Sequence, residues 1–168
     1  MTKINNKPTI TDMETVNVRR AAIEQRAKWA GAFYRVAKEH GIDLEPIMRE
    51  AIYNIGLETG REERKKFGED FHAADYGRYF CYKPYNETFE KKVISDTEDV
   101  FDCSLNYCPL VNAWQKMGFD DETCHLLCDI AMDGDRGIAE GLGLDFELLE
   151  VKSAGCEKCH LRYKTRKK

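Results

Sequence analysis

The sequence predicts an α+β fold, an antiparallel sheet of about four strands packed by N-terminal and central helices. Three observations point there. Segment 14–80 is helical in character, the apolar period shortens to two near Phe89, and a second strand pair follows two further helical stretches. Strands grouped in hairpins, with helices grouped around them, favour this class over a parallel βαβ sheet.

Residues 1–13 are polar, carry Pro8, and read as a flexible tail ahead of a single domain at 14–168. From Glu14 to His40, Ala22, Trp29, Ala30, Phe33, Val36 and Ala37 fall at three- and four-residue spacings, so they form the expected buried stripe of a first helix. Gly41 ends it, and Asp43 is the expected N-cap of a second helix with Pro46 in its first turn. That helix is expected to bury Leu44, Ile47, Met48, Ala51, Ile52 and Ile55. The charged run Arg61–Lys66 reads as a solvated helix end. Tyr76, Tyr79, Tyr82 and Tyr85 crowd the next segment, suited to helix–sheet packing or to a lid. The sheet and helix core is expected over 87–165. Segments 87–95 and 99–107 read as a hairpin in which Phe101, Cys103, Leu105 and Tyr107 face inward and Asp102, Ser104 and Asn106 form a polar face. Pro109 opens a helix that Gly118 stops, and Asp120 caps the next through Leu126, Leu127 and Ile130. Phe146, Leu148 and Val151 suggest a bulged strand, and Cys159, Leu161 and Tyr163 alternate along a final one.

Composition narrows the function. Lys plus Arg is 26 against 30 Asp plus Glu, a net charge of −4, which gives no electrostatic footing for nucleic acid or an anionic membrane. The opening segment has no apolar core and no apolar run approaches membrane-spanning length. Seven cysteines, an odd number, without a secretory leader argue for free thiols in a reducing cytoplasm.

The thiols divide by position. Cys124 and Cys128 lie one helical turn apart on a stripe with Leu127 and Ala131, suited to core packing or to a metal-binding pair. Cys156 and Cys159 form C-x-x-C at a turn, but a zinc knuckle needs a second ligand pair, and Cys108, Cys124, His125 and Cys128 are mostly on helices. His160 faces away from Cys159 by strand alternation. Cys103 reads as a packed thiol. Cys108 stands where a strand gives way to a helix, and helix N–H groups there are expected to lower its pKa and favour a nucleophilic thiolate, filling of the strand–helix corner being the alternative. The segment from Cys128 to Gly143 supplies Asp129, Asp133 and Asp135, with Gly134 and Gly137 expected to loosen the backbone; these acids suit turns and caps, a cationic amidine-like substrate, or a metal.

The run from Cys108 to Lys164 resembles the L-2-amino-thiazoline-4-carboxylic acid hydrolase-like family. The likeness rests on Cys108–Pro109–Leu110, Trp114 with Met117–Gly118, Cys128–Asp129, Gly134–Asp135, Ala139–Glu140 and the closing Gly155…Cys159–His160–Leu161–Arg162–Tyr163. It implies a hydrolase that opens a small cyclic amidine or isothiourea at a ring C–N bond. On that reading Cys108, Asp135 and Asp129 are the candidate catalytic residues, with Arg136 and Trp114 as candidate substrate contacts. A metal-bound water, with Cys108, Asp135 and Cys159 as ligands and zinc as the metal, is the other mechanism. The same closing pattern is similar to 4-vinyl-reductase-like small-molecule-binding domains, some of which are zinc-containing sensors. Here Val151 stands where a further ligand is expected and Cys156 is extra. A non-catalytic small-molecule- or zinc-binding module is therefore the alternative function. Either reading implies a small-molecule ligand, and Trp29, Phe33 and Tyr34 could line a pocket or a subunit contact in a homo-oligomer.

Overall fold

The computed structural model describes residues 2–82 and 86–167, so Tyr85 and the Tyr82 side chain lie outside the described residues. Five helices, α1 (Glu14–Glu39), α2 (Glu45–Arg64), α3 (Ala73–Tyr82), α4 (Pro109–Lys116) and α5 (Asp121–Leu142), accompany strands β1 (Lys91–Thr97), β2 (Val100–Leu105), β3 (Leu144–Glu150) and β4 (Cys159–Thr165). The strands form one antiparallel sheet in the order β1-β2-β4-β3, with the expected bulge between Leu148 and Glu150. This is the α+β fold expected from the sequence. Among the described residues no helix is long and apolar enough to cross a membrane.

Local chemistry sets the element ends. Asp120 caps α5 by accepting the Thr123 N–H at 2.8 Å, and Gly143 closes it in the left-handed region. Asp43 accepts the Glu45 N–H at the start of α2. Against expectation, α5 runs unbroken through Gly134, Gly137 and Gly141. These glycines, with Gly56 and Gly60 of α2, form the contact between the two helices. A Cβ on Gly137 would stand 2.2 Å from the Tyr53 carbonyl oxygen, and one on Gly56 2.1 Å from that of Gly134. The backbones touch, and no side chain fits between them. Arg49 of α2 clamps the same pair at one end, binding Asp129 and Asp133 at 2.9 Å each.

The helix faces overturn part of a second expectation. Ala22, Trp29, Phe33, Val36, Ile47, Ala51 and Ile55 are exposed; Ala37, Met48 and Ile52 pack inward as expected, and α1 otherwise buries Val16, Arg20, Ala27 and Gly31. The reason is steric. Helix α1 lies close on α4, whose Trp114 fills the space and donates its indole N–H to the Ala27 carbonyl at 2.9 Å. A Cβ on Gly31 would meet Phe119 at 2.9 Å. Small residues therefore face inward and large ones outward. The polar face of β2 is covered as well: Asp102 is buried beneath Arg162 and His160 of β4, and the paired guanidinium holds its carboxyl low.

Residues 2–13 are no loose tail. They have no regular secondary structure, but Ile4 and Asn6 are buried, and Glu90 accepts the N–H groups of Thr9 and Ile10. Buried Arg20 pairs with Glu90 at 3.0 Å and donates to the Ile10 and Thr88 carbonyls.

The α2–α5 contact makes a sharp prediction for unfolding measurements. Gly137→Ala should destabilise by about 3 kcal/mol, because its new methyl meets backbone on the facing helix. At Gly134 the nearest atom to a new Cβ is Ile52 Cγ2 at 3.4 Å, so Gly134→Ala should be neutral or stabilise by up to about 1 kcal/mol from helix propensity. Equal loss in both variants would contradict the backbone contact.

Candidate active site

One face of α5 carries the chemistry. At about 100° per residue, Cys124, Cys128 and Asp135 fall within a narrow arc, whereas Asp129 stands about 120° round from Asp135. Cys124, Leu127, Cys128 and Ile130 belong to an apolar cluster with Cys108, Val111 and Trp114. Ala139 and Leu142 belong to another, built from the sheet and α3 with Tyr76, Phe101, Leu161 and Tyr163. Asp135 sits on α5 between the stretches that serve these clusters, at their seam.

Its surroundings are unusual for an acid. The Asp135 side chain forms no ion pair or hydrogen bond with another side chain among the described residues, and protein surrounds it while leaving some accessible surface. Burial pushes its pKa up to about 6, against the opposing pull of Lys91, Arg136 and Arg26. Its charge in turn raises the pKa values of Cys108, Cys159, Tyr76 and Tyr163, which places it among α3, the start of α4 and β4.

Cys108 is the extended N-cap residue of α4, as the sequence predicts. The expected low thiol pKa is overturned. Burial pushes it up to about 12, and the nearby Val111 and Leu110 N–H groups at the start of α4, which make no capping hydrogen bond to the sulfur, only partly offset this. Eight residues of helix cannot match the lost solvation. Asn6 fixes the Cys108 backbone from both sides, accepting its N–H at 2.9 Å and donating to its carbonyl at 2.8 Å.

Two more thiols join it. Cys128 is pushed up by burial, by Cys108 and by Cys159, against a smaller opposing effect of the nearby Ser153 hydroxyl. The Ser153 hydroxyl lies 3.0 Å from Nδ1 of exposed His125. Cys159 is raised by burial and accepts the Lys152 N–H at 3.4 Å. The short 3-10 turn Lys152–Ala154 thus touches both thiols. Asn6 and Ser153 were missed in the sequence: neither lies on a periodic stripe, and each matters through a fold contact.

The remaining candidates lie elsewhere. Asp129 is held by Arg136 at 2.6 Å and by Arg49; burial opposes its ionisation, but the two guanidinium groups outweigh that and lower its pKa. Arg136 also binds Asp133 at 2.6 Å, so its guanidinium is committed to structural carboxylates. Trp114 is fully buried core and offers nothing to a substrate. Cys124 is core, and Cys103 is buried against Cys81. His160 faces Asp102, away from Cys159. Among the described residues no three His, Cys, Asp or Glu side chains are grouped to hold a metal ion, so Cys108, Asp135 and Cys159 do not make the closed set that zinc needs.

A half-buried carboxyl with no side-chain partner has a cost that stability measurements can read. Unfolded, Asp135 titrates near 3.8; folded, near 6. Between these values the native state keeps a proton that the unfolded chain has lost, so stability falls as pH rises through that window. The loss persists above it and reaches about 3 kcal/mol at most. Asp135→Asn should therefore be more stable than the parent at pH 7, with the difference vanishing below the unfolded pKa. A variant less stable at pH 7 would show that the carboxylate has a partner.

Comparison with known proteins agrees with this architecture. The fold is similar to that of a trafficking protein particle complex subunit 3 from Naegleria fowleri, covalently bound to palmitic acid in its crystal structure, with a TM-score of 0.57 over 88% of this chain and 97% of that one. At 13% identity the likeness is one of fold. A search of curated proteins finds no match. Residues 20–163 match the family model for L-2-amino-thiazoline-4-carboxylic acid hydrolase, a span that includes Cys108, Cys128, Asp135 and Cys159. The chain belongs to the L-2-amino-thiazoline-4-carboxylic acid hydrolase family.

Proposed function

We propose that this protein hydrolyses a small cyclic amidine or isothiourea, such as an aminothiazoline carboxylate, opening the ring at a C–N bond. The observation that carries the reading is Asp135, a partly buried carboxyl without a side-chain partner, whose pKa near 6 suits proton transfer at neutral pH. Its ionised form would pair with the protonated amidine, making the ring carbon more electrophilic. Three neighbouring thiols supply the candidate nucleophiles.

Cys108 is the thiol best held for attack, because Asn6 fixes its backbone at the N-terminus of α4. In the free protein it is a thiol. A bound cation beside it would oppose the effect of burial and favour the thiolate. The sulfur would then bond to the ring carbon while its proton passes to Asp135. Asp135 returns that proton to the ring nitrogen as the C–N bond breaks. Water adds to the carbon, the Cys108–carbon bond breaks, and the thiol is restored with one water consumed.

The test is ring opening of an aminothiazoline carboxylate alongside direct measurement of its binding. Asp135→Asn should lose roughly a hundredfold or more in turnover. In the parent, activity should rise with pH through about 6, because the carboxylate is the active form. Cys108→Ala should abolish turnover and leave substrate binding measurable. Full activity in Cys108→Ala would end the thiol mechanism, and binding without turnover in the parent would favour the sensor-like reading.

A further inference from the structure

A polar cleft of about 420 Å³ lies between α1, α4 and the N-terminal segment, apart from the seam that holds Asp135. Its volume falls within the ~300–1,000 Å³ usual for small-molecule sites. Among the described residues, its walls do not include Cys108, Cys128, Asp135 or Cys159. They do include Tyr107, in the link between β2 and α4. Tyr107 is only 3% exposed, yet its hydroxyl forms no hydrogen bond among the described residues. A buried hydroxyl left unpaired is costly, and a ligand that brings an acceptor removes that cost. Burial and the nearby Glu24 carboxylate push its pKa up to about 12, so it stays a donor at neutral pH.

The walls around it are built firmly. Buried Arg20 stacks over the Tyr107 ring at 4.3 Å and is itself held by Glu90 and by the Ile10 and Thr88 carbonyls. The Tyr107 N–H donates to the Phe89 carbonyl at 3.2 Å. From α1, Glu24 accepts a hydrogen bond from Asn112 at 2.7 Å and pairs with Lys116 at 2.9 Å, both on α4. Glu24, Asn112 and Lys116 all line the cleft with Tyr107, so both signs of charge stand beside an unpaired phenol.

Charge selects the ligand class. Arg20 is balanced by Glu90 and Lys116 by Glu24, so these walls carry no net charge. A simple anion would be repelled by Glu24, and a simple cation by Lys116. A molecule with both charges finds a partner for each. Its carboxylate would take the Lys116 ammonium and the Tyr107 hydroxyl, and its ammonium would take Glu24 and the Asn112 side-chain oxygen. Lys116 is exposed, so its ion pair with Glu24 is weak enough to open around such a ligand.

We propose that this cleft is a second binding site, for a zwitterionic α-amino acid. The choice of amino acid rests on the proposed function. Hydrolysis at the amidine carbon of an aminothiazoline-4-carboxylate consumes one water and frees the ring nitrogen on the carbon that bears the carboxylate. The product is S-carbamoylcysteine, which carries the two charges the cleft accommodates.

Isothermal titration calorimetry with S-carbamoylcysteine tests the site. Asp135→Asn, which alters the seam and leaves the cleft intact, should bind one molecule per chain. In that background, Tyr107→Phe and Lys116→Ala should each weaken binding about tenfold or more. N-acetyl-S-carbamoylcysteine, which keeps only the negative charge, should also bind at least tenfold more weakly. Lys116 is exposed, so its variant decides the matter even if Tyr107→Phe fails to fold. No binding to Asp135→Asn, or binding that neither variant alters, overturns the proposal. Turnover is not needed for this measurement. A parent that opens the ring but lacks the second site refutes the cleft alone, and one that binds through Tyr107 and Lys116 without ring opening refutes the proposed reaction alone.

Discussion

The chemistry of this chain hangs on α5, and α5 is held in place by backbone contact with α2. Carbonyls of Tyr53 and Gly134 lie where a Cβ would stand on the facing glycine, so the two helices approach as closely as their backbones allow. That approach leaves no rotational freedom. With the glycine side of α5 committed to α2, the arc bearing Cys128 and Asp135 points between the two apolar clusters. Arg49 and Arg136 reinforce the contact on a third side through Asp129 and Asp133. Four neighbouring acids and bases thereby become a clamp, and one nearby acid is left alone.

That solitary acid gives the interior its character. A carboxyl among apolar residues and raised thiols is out of balance: it holds its proton too tightly, and so do the sulfur atoms around it. A cation entering the seam would relieve both at once, because it pairs with the carboxylate and favours the thiolate. On the proposed function, stability is given up at the place where a ligand would bind, which is how functional sites commonly differ from cores. The N-terminal segment contributes directly, since Asn6 holds the Cys108 backbone that the helix N-terminus alone would leave half satisfied.

Much of the fold was legible in the sequence, because strands and caps advertise themselves locally. The alternation of Cys159, Leu161 and Tyr163 marks β4, Asp120 marks the start of α5, and the doubled Leu148–Leu149 marks the bulge. Helix faces were not legible. Ala27, Gly31, Gly56 and Gly60 pack inward because they are small, so the large stripes at Trp29 and Ile55 face out. A hydrophobicity pattern ranks those stripes the other way. The glycines of α5 suggested a loosened backbone for the same reason, since sequence alone does not show that a second helix lies against them. Of the candidate site, Cys108 and Asp135 were named from motif and chemistry, and the fold places both beside the thiols of Cys128 and Cys159. Asp129, Arg136 and Trp114 lie in the same run but serve the clamp and the core. Asn6 and Ser153 gave no signal, because each acts through a hydrogen bond closed only in the folded chain.

The central claim is that Asp135 is a partly buried carboxyl without a side-chain partner at the seam of the two clusters. Carbon-detected NMR titration of the aspartate-labelled protein, with Asp135→Asn for assignment, measures this directly. A side-chain carboxyl that titrates near 6 and disappears in the variant is the predicted result. An Asp135 resonance titrating at or below the ordinary 3.8 would mean that a cation or hydrogen-bond donor already satisfies it, and would contradict the account.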